Sequence, residues 1–238
     1  MPTRLDNVAF DAADHRMLGH WWSAALGWPV VEEDDDELGV AAPEGEGLWG
    51  LVFVPVPEAK VGKNRVHLDL ASASVEDQAA TVDRLLAAGA RRVDIGQGDV
   101  PWVVLADPEG NELCVLEPRD EYAGSGRLAA IVVDAADPAA LAPFWEAASR
   151  WRRDDGDDGV VRMRPPAAAG PALELVLVPV DDPTVGKNRV HLDVAPHPGD
   201  DHAAEVERLV ALGARHVDIG QGPDVTWVVL ADPEGNEL

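Results

Sequence analysis

The stretch VGKNRVHLDLA, residues 61–71, returns almost unchanged as VGKNRVHLDVA at residues 185–195. Two further stretches recur in the same order, namely VDIGQG at Val93 and Val217 and WVVLADPEGNEL at Trp102 and Trp227. Repeated segments that keep their order indicate a duplicated domain, and two copies are too few for a solenoid. The chain of 238 residues therefore contains a tandem repeat.

The spacing of these segments predicts the boundaries of the repeats. We expect one domain at residues 1–119 and a second at residues 127–238, joined by the linker 120–126, whose sequence DEYAGSG is polar and contains glycine. The first repeat continues after GNEL with CVLEP, whereas the sequence stops at Leu238. The last strand of the second repeat is therefore expected to be truncated.

The composition excludes several classes of protein. A formal charge of −25 opposes binding to nucleic acid and to anionic membrane surfaces. Hydrophobic residues make up 46% of the chain, which is enough for a sizeable core. Cys114 is the single cysteine, so a disulfide framework is excluded, and there is no apolar run of signal-peptide or membrane-span length. We expect a cytoplasmic protein.

Each repeat contains two passages of one strand, one helix and three short strands. In the first passage, the apolar pattern predicts a strand from Arg4 to Asp11 and a helix that opens at Asp14 and ends at Gly27. Three strands follow, around Val30, at 38–42 and at 48–56. The second passage predicts a strand at 65–71, a helix at 75–88 and strands at 92–95, 102–106 and 112–117. The fold class is therefore α+β, with four βαβββ units.

With this order of elements, the chain resembles the vicinal oxygen chelate superfamily, in particular its glyoxalase-like and bleomycin-resistance-like members. The resemblance covers nearly the whole chain and rests on the paired βαβββ pattern, the LGW after the first helix, the strand RVHLDL and the hairpin ADPEGNELCVLEP. It implies tandem glyoxalase-like domains, in each of which two βαβββ units form a curved mixed sheet around a cavity. A divalent metal often lies in that cavity.

The repeated strand presents a polar face. Alternation places Arg65, His67 and Asp69 on one side of the strand, opposite the apolar residues that the next helix covers. Arginine can bind an anionic group through two hydrogen bonds, and histidine can bind metal or move a proton. From this pattern and from the resemblance, we expect a ligand-binding set with members in both repeats: Arg65, His67, Asp69, Trp102, Cys114, Arg189, His191, Asp193 and Trp227.

Structural roles compete with binding for the same residues. Arg65 and Asp69 are two positions from His67 on either side and could form a structural polar cluster. A tryptophan on a strand most often packs in a core, although Trp102 could stack on a flat ligand. Cys114 has no visible base beside it in the sequence, so a role as nucleophile is unsupported.

The resemblance also implies positions for metal ligands, on the first and last strands of each unit. In the first repeat these positions are Asn7, Gly50, His67 and Cys114, and in the second they include Ala130, Glu174 and His191. Taken repeat by repeat, neither set is a convincing metal site. We therefore expect no cofactor and no catalytic metal, with His67, Glu174 and His191 as weak candidates should a divalent metal bind.

These patterns lead to a functional hypothesis with an alternative. We expect a protein that binds a small organic molecule in the sheet cavity without a catalytic metal. The alternative is a metal-dependent lyase, isomerase or dioxygenase-type enzyme that uses His67 or His191. One repeat could also be a structural partner for the other. Pairing of domains within one chain favours a monomer over a homodimer.

Overall fold

The computed structural model of the chain describes residues 3–44, 48–155, 159–166, 173–181, 186–220 and 225–238. The second copies of two repeated stretches lie partly outside these residues, at Val185 and at positions 221 and 222.

The described residues form helices and short strands in the order that the sequence predicts. The helices are α1 (His15–Leu26), α2 (Val75–Ala87), α3 (Pro138–Ser149) and α4 (His202–Ala211). The strands of the first repeat are β1 (Arg4–Ala12), β2 (Val30–Glu33), β3 (Leu38–Ala41), β4 (Gly50–Pro55), β5 (Val66–Leu70), β6 (Arg91–Arg92), β7 (Val103–Ala106) and β8 (Glu112–Val115). Those of the second repeat are β9 (Leu128–Ala135), β10 (Arg152–Asp155), β11 (Val161–Arg164), β12 (Glu174–Pro179), β13 (Val190–Ala195), β14 (Arg215–His216) and β15 (Leu230–Ala231).

Local sequence signals explain where the first helix begins and ends. The Asp14 side chain accepts a hydrogen bond from the Met17 amide and caps the N-terminus of α1. Gly27 ends the helix in the left-handed conformation, with a φ of 74°, which glycine adopts without steric cost. Both helix boundaries of the first unit were therefore readable from the sequence.

The strands assemble into mixed sheets, which confirms the α+β class. One sheet has the order β13-β1-β4-β3-β2 and another has the order β10-β11-β12-β9-β5-β8-β7-β6, with β14 and β15 paired separately. Within the sheets, β1 runs parallel to β4 and antiparallel to β13, and β9 runs parallel to β12 and antiparallel to β5. The face of each sheet turned away from the helices is called the open face below.

The pairing of the units differs from the expectation that each repeat builds its own sheet. Strand β13 of the second repeat lies beside β1, and β9 of the second repeat lies beside β5. The chain leaves β8 through a linker with a 3-10 turn at Asp120–Tyr122 and returns antiparallel along β5, which needs only a short connection. We call the two assemblies the five-stranded half (β1–β4 and β13) and the eight-stranded half (β5–β12). The boundaries of the repeats themselves stay a prediction.

A buried apolar cluster spans both halves beneath the helices. Phe10 and Trp22 belong to it in the first repeat, and Trp145 occupies the equivalent place in the second. Each of these tryptophans donates its indole hydrogen to a buried aspartate of a DPEGN turn, Trp22 to Asp107 at 3.1 Å and Trp145 to Asp232 at 3.0 Å. The duplicated turn therefore anchors a duplicated helix. No helix among the described residues has the length and apolar character that a membrane span requires.

Candidate functional site

Four neighbouring strands of the eight-stranded half place one residue each in a row on the open face. Asp69 on β5 is opposite Cys114 on β8 and opposite Ala130 on β9, and Ala130 is opposite Glu174 on β12. His67 lies two residues before Asp69 and shares its face, because alternate residues of a strand point the same way. The row combines residues of both repeats.

His67, Asp69 and Cys114 form a compact polar group within this row. Their potential ligand atoms all lie within 4.8 Å of one another. His67 Nε2 is 3.4 Å from Asp69 Oδ1, and the two side chains are only 12% and 14% exposed. Among the described residues, His67 Nδ1 and Asp69 Oδ1 are buried without a hydrogen-bond partner. Buried polar atoms are normally paired, so His67 Nδ1 is available to a bound group, and Asp69 Oδ1, although it lies beside His67 Nε2, can still accept a hydrogen bond.

Tyr122 of the linker closes one side of the row. Its hydroxyl donates a hydrogen bond to Glu174 Oε2 at 2.9 Å, and Arg164 Nε donates to the other carboxylate oxygen at 2.6 Å. Glu174 is 1% exposed and Tyr122 is 8% exposed. The buried carboxylate is therefore held by one neutral and one charged donor.

The protonation of this site is controlled by burial. Burial, followed by the negative charge of Asp69, raises the pKa of the Cys114 thiol above its ordinary value. Burial, followed by the Glu174 carboxylate, likewise raises the pKa of the Tyr122 hydroxyl. Both groups therefore keep their protons at neutral pH, and Cys114 is poorly suited to act as a nucleophile.

An apolar patch borders the polar group. Trp102 packs against the buried cluster that contains Val104, Cys114 and Tyr122. The Arg119 guanidinium lies over the Trp102 ring, 5.8 Å from its centroid. The open face thus places an aromatic surface beside unpaired hydrogen-bonding atoms, which suits a flat organic molecule.

The five-stranded half carries the second histidine and aspartate in a different setting. His191 Nδ1 lies 2.9 Å from Asp193 Oδ1, and its Nε2 lies 3.7 Å from Asp11 Oδ1. Asn7 is opposite both Asp193 and Gly50. Here the histidine is engaged by two carboxylates, whereas His67 keeps an unpartnered ring nitrogen.

Arg65 and Arg189 each contact a glutamate of the opposite repeat. Arg65 Nη1 donates to the Glu234 carbonyl at 3.2 Å, and its Nη2 is 3.6 Å from the Glu234 carboxylate. Arg189 Nη2 donates to the Asp11 carbonyl at 2.5 Å and contacts Glu109 Oε2 at 3.1 Å. The sequence allowed a structural polar cluster of Arg65 and Asp69. In the structure, the Arg65 guanidinium contacts Glu234 instead.

The two tryptophans of the repeated WVVLADPEGNEL segment also differ. Trp102 is half-buried directly before β7, whereas Trp227 is 50% exposed and precedes β15 by three residues. Of the residues in the expected binding set, the structure brings together His67, Asp69, Cys114 and Trp102 in the eight-stranded half. It places His191 and Asp193 in the five-stranded half.

The sequence interpretation missed Tyr122, Arg164 and Arg119. Tyr122 stands in a segment that reads as a polar spacer, and its chain position gives no sign that it enters a sheet face. One signal was present, because Tyr122 is the single tyrosine of the chain and lies within an otherwise polar linker. Arg164 could not be found, because its partner Glu174 is defined only by the pairing of β11 with β12.

The strand pairing also regroups the positions where relatives place metal ligands. His67, Cys114, Ala130 and Glu174 share the eight-stranded half, whereas Asn7, Gly50 and His191 share the five-stranded half. At Gly50, a Cβ atom would overlap the carbonyl oxygen of Val40, so that position admits no side-chain ligand.

The first repeat offers a better ligand set than the positions that the resemblance implies, because Asp69 joins His67 and Cys114. His67, Asp69 and Cys114 fit a three-ligand site of nitrogen, oxygen and sulfur donors. Glu174 lies in the same row, and its two carboxylate oxygens accept hydrogen bonds from Tyr122 and Arg164.

Comparison with known proteins assigns the chain to a family. A family model described as "Glyoxalase-like domain" matches residues 7–116 and 130–238. The chain belongs to the glyoxalase-like domain family. The tandem organisation of this glyoxalase-like protein is confirmed by the two matches. A search of curated protein sequences gives no match.

Solved structures show the same fold across the whole chain. Glyoxalase I from Zea mays superposes with a TM-score of 0.61 at 15% identity, covering 99% of this chain and 90% of that one. A putative dioxygenase from Bacillus subtilis subsp. subtilis str. 168 gives a TM-score of 0.59 at 16% identity, covering 99% and 84%. At these identities the likeness concerns the fold.

Proposed function

We propose that this glyoxalase-like protein binds a small organic molecule on the open face of the eight-stranded half. The observation that carries the proposal is the buried His67–Asp69 pair beside the Trp102 patch, in which the side chains are in ion-pair contact but His67 Nδ1 and Asp69 Oδ1 have no hydrogen-bond partner. Leaving such atoms unpaired costs about 1–3 kcal/mol each, and a ligand that pairs with them recovers that cost.

The chemistry of the atoms indicates the class of ligand. Asp69 Oδ1 is an acceptor, so the ligand has a hydroxyl or an amine that donates to it. His67 Nδ1 accepts or donates according to its tautomer. Trp102 supports a flat or apolar portion. A fragment with an aromatic ring and one donor, such as phenol or benzylamine, combines these features.

Matched histidine variants test the proposal. Ligand-observed NMR with phenol and benzylamine should show binding to the wild-type protein and to His191→Ala, and a loss of about tenfold or more in affinity in His67→Ala. The His191 variant controls for removal of an imidazole from the equivalent strand. Equal binding by both variants, with circular dichroism showing both folded, would reject the site.

A metal-dependent function is a second candidate, because His67, Asp69 and Cys114 converge within 4.8 Å. A metal held there would polarise an oxygen atom of a bound molecule as a Lewis acid. The residues of the chain would orient that molecule on the Trp102 patch and exclude water through the buried Tyr122 ring.

Cobalt provides a direct test of that candidate. A titration with Co²⁺ should give a thiolate-to-cobalt absorption band that is absent in Cys114→Ser and present in His191→Ala. Removal of metal by a chelator separates the two functions. Fragment binding that survives the chelator supports the metal-independent function, whereas fragment binding that requires added Co²⁺ or Zn²⁺ supports the metal-dependent one.

We also infer that the protein is a monomer. Each half already combines strands of both repeats, so a second chain is not needed to complete either sheet. Sedimentation velocity should give the mass of one 25.3 kDa chain, and a stable dimer would contradict the inference.

A further inference from the structure

A cleft of about 670 Å³ lies between the two repeats. The repeated stretch lines it from both sides, through Lys63, Asn64 and Arg65 of one copy and Lys187, Asn188 and Arg189 of the other. The volume is within the range of small-molecule sites, about 300–1,000 Å³. Both copies of the repeated stretch therefore line the same cleft.

Part of the polar surface of the cleft is already neutralised. Lys63 pairs with Asp134 at 2.5 Å, and Lys187 forms an ion pair with Asp11. Each lysine therefore binds a carboxylate of the other repeat and ties the repeats together. The lysines contribute little free charge to a ligand.

The arginines retain unused hydrogen-bond donors. Arg65 is 5% exposed and Arg189 is 9% exposed. Within the described ranges, Arg65 Nε, Arg65 Nη2 and Arg189 Nε are buried without a hydrogen-bond partner. Arg65 Nη2 lies near Glu234, but 3.6 Å exceeds hydrogen-bond distance. Both arginines also lie beside a glutamate, so their contribution to a ligand is the free N–H groups, which can donate charge-assisted hydrogen bonds to an oxyanion.

We propose that the cleft between the repeats is a binding site for a small oxyanion, a phosphate or a carboxylate group, held by Arg65 and Arg189. The two arginines come from equivalent positions of the repeats, and both line the cleft. The lining of the cleft does not include His67, Asp69 or Cys114, and this proposal does not depend on the function proposed for them. Occupation of the cleft would join the two halves in addition to the lysine–aspartate pairs.

The side-chain Nε–H resonances of arginine test this site directly. In ¹H–¹⁵N spectra of the wild-type protein, the signals of Arg65 and Arg189 should shift saturably on addition of inorganic phosphate or malonate. Sodium chloride at matched ionic strength should not shift them, since it screens without forming the bonds. Shifts with phosphate alone identify a phosphate site, and shifts with malonate alone identify a carboxylate site. Absence of shifts with both anions, or equal shifts with chloride, would overturn the proposal.

Conservative variants provide an independent measure of affinity. Arg65→Lys and Arg189→Lys keep the charge but lose the Nε–H, so each should weaken binding of the responding anion by about tenfold or more. Arg92→Lys, at an exposed arginine of β6, should bind as the wild type does. Unchanged affinity in folded Arg65→Lys and Arg189→Lys would also refute the site. Should either variant fail to fold, the wild-type spectra still decide the question.

Discussion

Substitution of Tyr122 by phenylalanine isolates the contact that closes the open face. The change keeps the buried ring and removes only the hydroxyl that donates to Glu174 Oε2 at 2.9 Å. Glu174 is 1% exposed, so solvent cannot replace the lost donor. Hydrogen bonds to charged groups contribute about 1.5–3 kcal/mol, and we expect the free energy of unfolding to fall by this amount.

Urea denaturation followed by circular dichroism measures the effect. Ser125→Ala is the control within the same linker, because the Ser125 hydroxyl shares its hydrogen between two neutral main-chain carbonyls, those of Tyr122 and Gly126. Its loss should cost about 0.5–1.5 kcal/mol, the range for neutral hydrogen bonds.

A double-mutant cycle shows whether the hydroxyl acts through Glu174. Tyr122→Phe combined with Glu174→Gln should lose about 1 kcal/mol less than the sum of the single changes, because the glutamine has already removed the charge that strengthens the bond. Loss of less than about 0.5 kcal/mol in Tyr122→Phe, or strict additivity in the cycle, would refute the assignment of Tyr122 as the residue that holds Glu174.

Three further predictions test other parts of the structure. Tyr122, the single tyrosine, should show no tyrosinate absorbance at pH ~10, the ordinary pKa of tyrosine, until urea unfolds the chain. The folded state raises the pKa of the Tyr122 hydroxyl, so the stability that this hydroxyl contributes is complete below pH ~10 and is lost as the pH rises further. Labelling of Cys114 by iodoacetamide, followed by mass spectrometry, should stay slow in the native protein as the pH passes ~8.5, the ordinary pKa of cysteine, and should become fast in urea. Fast labelling of the native protein would contradict the raised pKa of this thiol. Gly50→Ala should destabilise the protein by about 1–3 kcal/mol or more, because the new Cβ atom meets a backbone carbonyl. Gly39→Ala should destabilise it less, because the new Cβ atom meets the half-exposed Trp49 side chain. Equal thermal stability of the two variants would contradict this packing.

Local structure could be predicted because its signals are local. The cap residues of α1, Asp14 and Gly27, and the DPEGN turns are encoded by residues a few positions apart. The alternation in the repeated strand also predicted that His67 and Asp69 share a face, and both lie on the open face beside Cys114. These parts of the site follow from periodicity and chain order.

The partner of each unit could not be predicted for a physical reason. Strands β1 and β9 are equivalent positions of the duplication, and both are apolar strands that would pair with β5. The apolar pattern therefore cannot distinguish pairing within a repeat from pairing between repeats. In the observed pairing, Tyr122 of the linker donates a hydrogen bond to Glu174 across the open face. Grouping residues by repeat consequently separated His67 from Glu174, although they share one sheet.

The contacts across the junction also give a physical reason for the near-identity of residues 61–71 and 185–195. Lys63 and Lys187 bind aspartates of the opposite repeat, and Arg65 and Arg189 reach the DPEGN glutamates of the opposite repeat. Equivalent residues thus make equivalent contacts across the junction. The junction therefore uses both copies of the repeated stretch, and this role was not visible in a single strand.

The most direct test of the central claim is a protein-observed NMR titration of chelator-treated, ¹⁵N-labelled protein with phenol and benzylamine. The account predicts saturable shifts in the resonances of His67, Asp69, Cys114 and the Trp102 indole, with smaller changes at His191. Saturable shifts confined to the five-stranded half, or no saturable shifts with either fragment, would contradict the assignment of the open face of the eight-stranded half as the binding site.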